Sequence, residues 1–233
     1  MNKFIINYKL KNLSDLDFAI FDFDGTIYPN LFLFDLAKQF FTINNNYKKL
    51  TDLNKILLNY NSNKFKLAYT GFINLLKDEN KDEVLDVSNE LIKNSYTYAK
   101  LTIKKLKNKY KLKSYLISIT ADFVADLAKN YFNFEDVFSI NYLTSKKSNK
   151  FLGITNDIID NPQKMKIRLF NNLMYKRKLS YIYFFDSIDD LLISSNASIK
   201  VGVNPKNNLK KSLKFDIILN ESPDPWKFFY NSI

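Results

Sequence analysis

Asp17-Phe18-Ala19-Ile20-Phe21-Asp22-Phe23-Asp24-Gly25-Thr26 decides how the rest of this 233-residue chain is read. Phe18 to Phe21 form an apolar run short enough for a buried strand. The run breaks at a glycine, with two carboxylates two residues apart at the break. Unpaired buried charge is expensive, so two acids at a strand end call for a cation or a reaction to perform.

Composition narrows the chemistry. The chain has no Cys and no His. Disulfides, thiolate nucleophiles, Ser-His-Asp triads and Cys- or imidazole-ligated metals are therefore excluded. What remains is Asp, Glu, Lys, Ser, Thr and Tyr, whose oxygen donors suit a hard cation such as Mg²⁺. With 46% apolar and 16% aromatic residues, the chain can bury a sizeable core. The net charge of +11 is uneven: Tyr28 to Lys113 carries 16 Lys against 8 acids, and the remainder 19 Lys or Arg against 16 acids. Such a field steers anionic substrates, or is simply a solvated lysine face.

Met1 to Leu10 carries Lys3 and Lys9 without a long apolar core, so no signal peptide is expected there. No apolar run reaches membrane-spanning length. These readings predict a cytoplasmic protein with no membrane and no nucleic-acid partner, because no nucleic-acid-binding motif is present. The oligomeric state is not legible.

Outward from the opening stretch, Tyr28-Pro29-Asn30 is a turn signal. From there to Lys113 the periodicity is helical: Leu33, Leu36, Ala37 and Phe40 share one face, as do Leu53, Ile56, Leu57 and Tyr60. Lys64 to Leu76 is mixed. Asp82-Glu83 opens a helix, and Tyr96 to Lys109 is a further amphipathic one. Strands then alternate with helices. Tyr115 to Ile117 ends in Ser118-Ile119-Thr120, and short strands follow at Ile140 to Leu143 and Phe151 to Ile154. Asn161-Pro162 opens a helix. Tyr181 to Phe185 ends in Asp186-Ser187, with further strands at Ile199 to Val203 and Phe215 to Leu219.

This order predicts an α/β fold, a doubly wound, mostly parallel Rossmann-like sheet with an inserted all-helical cap domain. The core spans 1–29 and 112–233, and the cap 30–111. Ligands of such sheets bind at the carboxyl ends of the strands, where Asp22, Asp24, Ser118 and Asp186 fall.

These residues resemble the motifs of the haloacid dehalogenase-like (HAD) hydrolases, in the phosphoserine-phosphatase-like branch with a helical cap. Asp22-Phe23-Asp24-Gly25-Thr26 is similar to the first motif and Ile117-Ser118-Ile119-Thr120 to the second. Lys164 resembles the third, and Asp186-Ser187-Ile188-Asp189-Asp190 the acidic fourth. Val203-Asn204-Pro205 is also similar to a segment of that branch.

The resemblance implies a Mg²⁺-dependent phosphatase that hydrolyses a small phosphomonoester through an aspartyl-phosphate. Asp22 would be nucleophile and metal ligand. Asp24 would be the general acid and base, its main-chain carbonyl a ligand. Asp186 would be the third ligand, and Ser118 and Lys164 would hold phosphoryl oxygens. Asp190 would stand behind the metal, orienting its water. Lys166 competes with Lys164, which is preferred because it keeps Ile167 and Phe170 buried behind it.

Two positions depart from the pattern. Phe185 stands where the family usually has Gly, and Asn161-Pro162-Gln163 lacks a Gly before Lys164. Phe185 supports an alternative, a catalytically weak or inactive relative serving as a binding or regulatory module. The cap segment contains no Arg, which argues against phosphoserine. Its aromatics (Phe65, Tyr69, Phe72) and its lysines point to a larger or more anionic ester.

Overall fold

The computed structural model describes residues 13–61, 65–154, 161–174, 179–220 and 222–233. The reading of Met1 to Leu10 lies outside them. Six parallel strands form the main sheet: β1 (Phe18–Phe21), β2 (Lys113–Ala121), β3 (Asp136–Ile140), β6 (Tyr181–Phe185), β7 (Ile199–Val203) and β8 (Ile217–Leu219). A separate antiparallel hairpin pairs β4 (Tyr142–Thr144) with β5 (Phe151–Ile154). The sheet order is β3-β2-β1-β6-β7-β8. The chain winds one way from β1 through β2 to β3, then returns to the other side of β1 as β6. Between β1 and β6 the strand order reverses, which is where doubly wound sheets bind ligands.

Strand alternation divides the core into two layers. In β6, Ile182 and Phe184 face one side, where Phe184 lies 4.9 Å from the Trp226 ring and 5.2 Å from Phe229. Tyr181, Tyr183 and Phe185 face the other, among Phe18, Ile20, Leu169 and Phe170. That second layer is covered by α7 (Pro162–Met174), whose inward residues include Met165, Lys166, Leu169, Phe170 and Leu173. Asn161 caps α7, its side chain accepting from the Lys164 N–H at 3.1 Å.

The insertion after β1 begins with α1 (Phe32–Ile43), α2 (Tyr47–Asn61), α3 (Phe65–Leu76) and α4 (Lys81–Leu91). The segment written above as mixed is α3, an apolar helix that packs on α1, α2 and β5. Asn80 caps α4, accepting from the Asp82 and Glu83 N–H groups. The β4–β5 hairpin joins this layer, since Phe151 N–H donates to the Glu79 carbonyl and Asp78 N–H to the Phe151 carbonyl.

Helix α5 (Thr97–Tyr110) belongs elsewhere. The expected cap limits, 30–111, place it with the insertion, yet it packs against β2, α6 (Asp122–Phe132) and the C-terminal helix. It is the crossover between β1 and β2. Its amphipathic pattern announces a buried face but not which surface covers that face. Two short helices, α8 (Leu191–Ser194) and α9 (Asn207–Ser212), lead to α10 (Trp226–Ser232). Lys105 Nζ donates to the Tyr230 carbonyl at 2.9 Å, tying α10 to α5. The strand expected at Ile140 to Leu143 divides into the end of β3 and the start of β4. Only Ile140 of β3 is fully buried, so this edge strand lacks the apolar run that marks the inner ones.

Candidate active site

The first strand ends at Phe21 inside the sheet, and the next residue carries the first acid. Asp22 is 3% exposed, and its N–H donates to the Phe184 carbonyl at 2.9 Å, extending the β1–β6 pairing by one residue. With Phe18 and Ile20 on the α7 side of the sheet, alternation places Asp22 on that side too. There Lys166 Nζ lies 2.7 Å from Asp22 Oδ1 and 2.6 Å from Asp190 Oδ1. Lys166 is 4% exposed. Burial alone would lower its pKa, but Asp190 and Asp22 outweigh it and hold the ammonium charged.

This corrects the choice of Lys164. Lys164 sits exposed on the first turn of α7. The helical stripe that faces the sheet runs through Lys166, Leu169, Phe170 and Leu173, spaced i, i+3, i+4 and i+7. Ile167 is only half-buried, and Phe170 belongs to the stripe of Lys166.

Asp24 sits one step further along the loop, half-buried. Its Oδ1 accepts from the Phe32 N–H at 2.7 Å, so the loop carboxylate caps the first helix of the insertion. Burial pushes its pKa up to about 7, against that hydrogen bond and with help from the charge of Asp22. Tyr28 and Asn30 both donate to Asp35 Oδ2, at 2.9 and 3.0 Å, and pin the entry to α1.

Gly25 is fixed by two demands. Its φ of +75° is a left-handed conformation that suits glycine. A Cβ at this position would stand 2.4 Å from Asp186 Oδ2. The loop after β1 therefore fits against the acid at the end of β6 only because residue 25 has no side chain.

Asp186 is 5% exposed. Burial raises its pKa, opposed by Lys206, whose Nζ lies 3.4 Å from Oδ2. Asp190 is fully buried and nearer the centre than a purely supporting role requires. It accepts from Lys166, from the Tyr183 hydroxyl, and from Ser187 Oγ at 3.2 Å. Burial pushes its carboxyl upward against the pull of Lys166. Asp22, Asp186 and Asp190 each offer an oxygen within 4.8 Å of the others.

These residues open onto a cavity of about 510 Å³. Ser118 lines it from the end of β2, together with Asp22, Asp24, Lys166, Asp186 and Lys206. The opposite wall comes from the insertion: Leu31, Leu33, Phe34, Leu57, Tyr69 and Phe72. The side chain of Phe65 lies outside the described residues. Among those described, no lysine of the insertion reaches the cavity.

No protein-family model matches the sequence, and no curated protein does. Solved structures do match. A Bordetella pertussis protein of unknown function superposes with a TM-score of 0.73 at 14% identity, over 86% of this chain and 97% of its own. A HAD family hydrolase from Salmonella enterica serovar Typhi gives 0.70 at 18% identity, over 94% and 77%. A substrate-bound phosphoserine phosphatase gives 0.67 at 17% identity, over 93% and 98%. The fold is that of the HAD hydrolases. Within this HAD-like fold, the four stretches quoted from the sequence converge on one cavity, with Lys166 in place of Lys164.

Sequence reasoning missed Lys206 and Tyr183. The N–H of Lys206 donates to the Asp186 carbonyl at 3.0 Å, which brings the residue after Asn204-Pro205 back to the site. Tyr183 lies two residues before Phe185 on the same face of a buried strand, and its hydroxyl needs a partner there. That need was the available signal.

Phe185 is absent from the lining of the cavity. It is buried on the α7 side, stacked 4.9 Å from Tyr183 and 5.4 Å from Phe215. Its cross-strand partner is Gly202, where a Cβ would approach Phe215 to 2.7 Å. The bulk of Phe185 is thus absorbed by the sheet and by a glycine on the neighbouring strand.

Proposed function

We propose that this protein is a Mg²⁺-dependent phosphomonoester hydrolase of the cytoplasm, acting through an aspartyl-phosphate on Asp22. The observation that carries the reading is the meeting of Asp22, Asp186 and Asp190 around Lys166, beside a glycine that leaves room for Asp186. The donor set fits the metal, since the clustered side-chain donors are carboxylates and the chain has neither Cys nor His. Asp22 and Asp186, with the main-chain carbonyl of Asp24, would hold it. When bound, the metal supplies positive charge against the phosphoryl oxygens.

The chain's own groups divide the remaining work. A carboxylate oxygen of Asp22 attacks phosphorus in line, and the ester oxygen leaves with its electron pair. Asp24 gives that oxygen a proton, releasing the alcohol and leaving Asp24 ionised. Water then attacks the phosphorus of the aspartyl-phosphate and loses its proton to Asp24. Inorganic phosphate departs, and both carboxyl groups return to their starting states. Burial raises the Asp24 pKa to about 7, so this group can hold and release a proton near neutrality. Ser118 and the Lys166 ammonium hold the phosphoryl oxygens that Asp22 does not face. The helical insertion caps the cavity and excludes water.

The test is phosphate release from a panel of phosphomonoesters with Mg²⁺, comparing wild type with Asp22→Asn. Wild type should turn over and the variant should not. Equal inactivity of both across the panel would sink the reading. Binding without turnover would favour the alternative, a silent relative, but the burial of Phe185 away from the cavity removes the observation that motivated it.

A further inference from the structure

The cavity has two unlike halves, and the second describes the alcohol that leaves. On the sheet side stand the acids and two lysines. On the insertion side the described lining is mostly apolar and aromatic, with Asn30 and Asp35 at its polar edge and Phe34 and Phe72 set edge to face at 83° and 6.5 Å between centroids.

Charge sharpens the contrast. Among the described lining residues the cations are Lys166 and Lys206, both on the sheet side. Lys166 is held by Asp22 and Asp190, and Lys206 faces Asp186. Among the described residues of the insertion wall the acidic side chain is Asp35, which already accepts from Tyr28 and Asn30. Among the described lysines of the insertion, Lys55 pairs with Asp52 and Lys93 with Glu90 at the surface, and the partly buried Lys49 pairs with Glu79. Against the described part of that wall, a second anionic group on the substrate would lose its hydration to leucines, aromatic rings and a carboxylate, with no counter-ion among the described residues there to replace it.

Size gives the other bound. A cavity of about 510 Å³ has room for a ring beside the phosphoryl group, because small-molecule pockets run from roughly 300 to 1,000 Å³. An aromatic ring would meet the Phe34–Phe72 pair through the edge-to-face contacts such rings favour.

We propose, resting on the phosphatase reading above, that the natural substrate is an aryl or arylmethyl phosphate whose alcohol half is uncharged. Amino-acid phosphates and phosphorylated sugar acids are disfavoured, despite the basic composition of the insertion.

Two measurements separate this from the phosphatase reading. The first is kcat/KM with Mg²⁺ for phenyl and 1-naphthyl phosphate against O-phosphoserine and 3-phosphoglycerate. The aryl esters should lead by about tenfold or more, the scale on which apolar pockets discriminate. Phe72→Ala should lower the preference for naphthyl over methyl phosphate by about tenfold. Phe34→Ala, at a half-buried position, should do the same if the Phe72 variant does not fold. Phosphoserine or phosphoglycerate turned over as well as the aryl esters would overturn the inference while leaving the phosphatase reading intact.

The second is calorimetric binding of benzylphosphonate and methylphosphonate, which cannot be hydrolysed, to the Asp22→Asn protein with Mg²⁺. Tighter binding of the benzyl compound by about tenfold supports the apolar subsite even if no ester is turned over, in which case only the phosphatase reading falls. Equal binding of the two refutes the inference whatever the kinetics show.

Discussion

Lys166→Met isolates the interaction on which the site is built. The substitution keeps an unbranched side chain in the α7 stripe and removes the ammonium. In the metal-free protein it leaves Asp22 and Asp190, 3% and 0% exposed, without the cation that lies 2.7 and 2.6 Å from them. Breaking a buried ion pair by removing one partner costs about 3–5 kcal/mol, because the surviving charge has no compensation. For a chain of this size that corresponds to a fall in Tm of roughly 6–20 °C, at about 2–4 °C per kcal/mol.

The loss should depend on pH, and its sign follows from Asp190. Burial already pushes this carboxyl upward in the folded protein. Without Lys166 it rises further, so the folded state binds the proton more tightly than the unfolded chain does. Stability then falls as pH climbs from the unfolded value of about 4 through the folded value. In EDTA, the gap between variant and wild type should therefore be largest near pH 8 and shrink toward pH 5. Mg²⁺ should also narrow it, by supplying charge to the same oxygens. Urea unfolding followed by circular dichroism reads all three effects. Lys164→Met is the control, since an exposed position away from special features changes stability by no more than about 0.5 kcal/mol. A Lys166→Met protein as stable as wild type at pH 8 in EDTA, or a Lys164→Met protein that loses more, would refute the assignment.

Gly25→Ala should be damaging twice over. The residue has φ of +75°, and its new Cβ would meet Asp186 Oδ2 at 2.4 Å. A non-glycine residue held in such a conformation costs of order 1–3 kcal/mol, and the displaced Asp186 should weaken Mg²⁺ affinity, measured as the metal-induced shift in Tm. Phe185→Ala should lower stability by about 3–5 kcal/mol, the usual cost of truncating a buried phenylalanine. It should not raise the turnover of any ester, because Phe185 does not face the cavity; a clear gain in kcat with Mg²⁺ would show that the side chain obstructs the site.

The sheet and the acids were legible because each is signalled by a short run. Buried parallel strands read as unbroken apolar segments, and an acid at the end of such a segment has few structural explanations. Phe18 to Asp22 and Tyr181 to Asp186 meet that description and lie side by side. Lys166 was not chosen because two lysines two residues apart on a helix point to different faces, and the sequence around them allows either phase. Only the packing of Leu169, Phe170 and Leu173 decides it. The surface that covers α5 was hidden for a related reason. A helix with one apolar face will pack on any apolar surface, and here α10, which local periodicity did not mark, supplies much of that surface. The lysine count misled in its own way, since none of the described lysines of the insertion lines the cavity.

Phe185 shows how a departure from the pattern the sequence resembles can leave the cavity lining untouched and still be written into the structure. A glycine before the fourth-motif acid would leave the space beside β7 empty; in this chain that space holds an aromatic stack of Tyr183, Phe185 and Phe215. The stack is possible because Gly202, opposite Phe185 in the register, admits the Phe215 ring. The small residue has moved one strand over, and the volume of the layer is conserved. Alternation does the rest. A residue that points into the α7 layer at position 185 leaves Asp186, the next in the chain, to turn toward Gly25 and the cavity. The large side chain therefore anchors the strand that delivers the acid without narrowing the space in which the acid works.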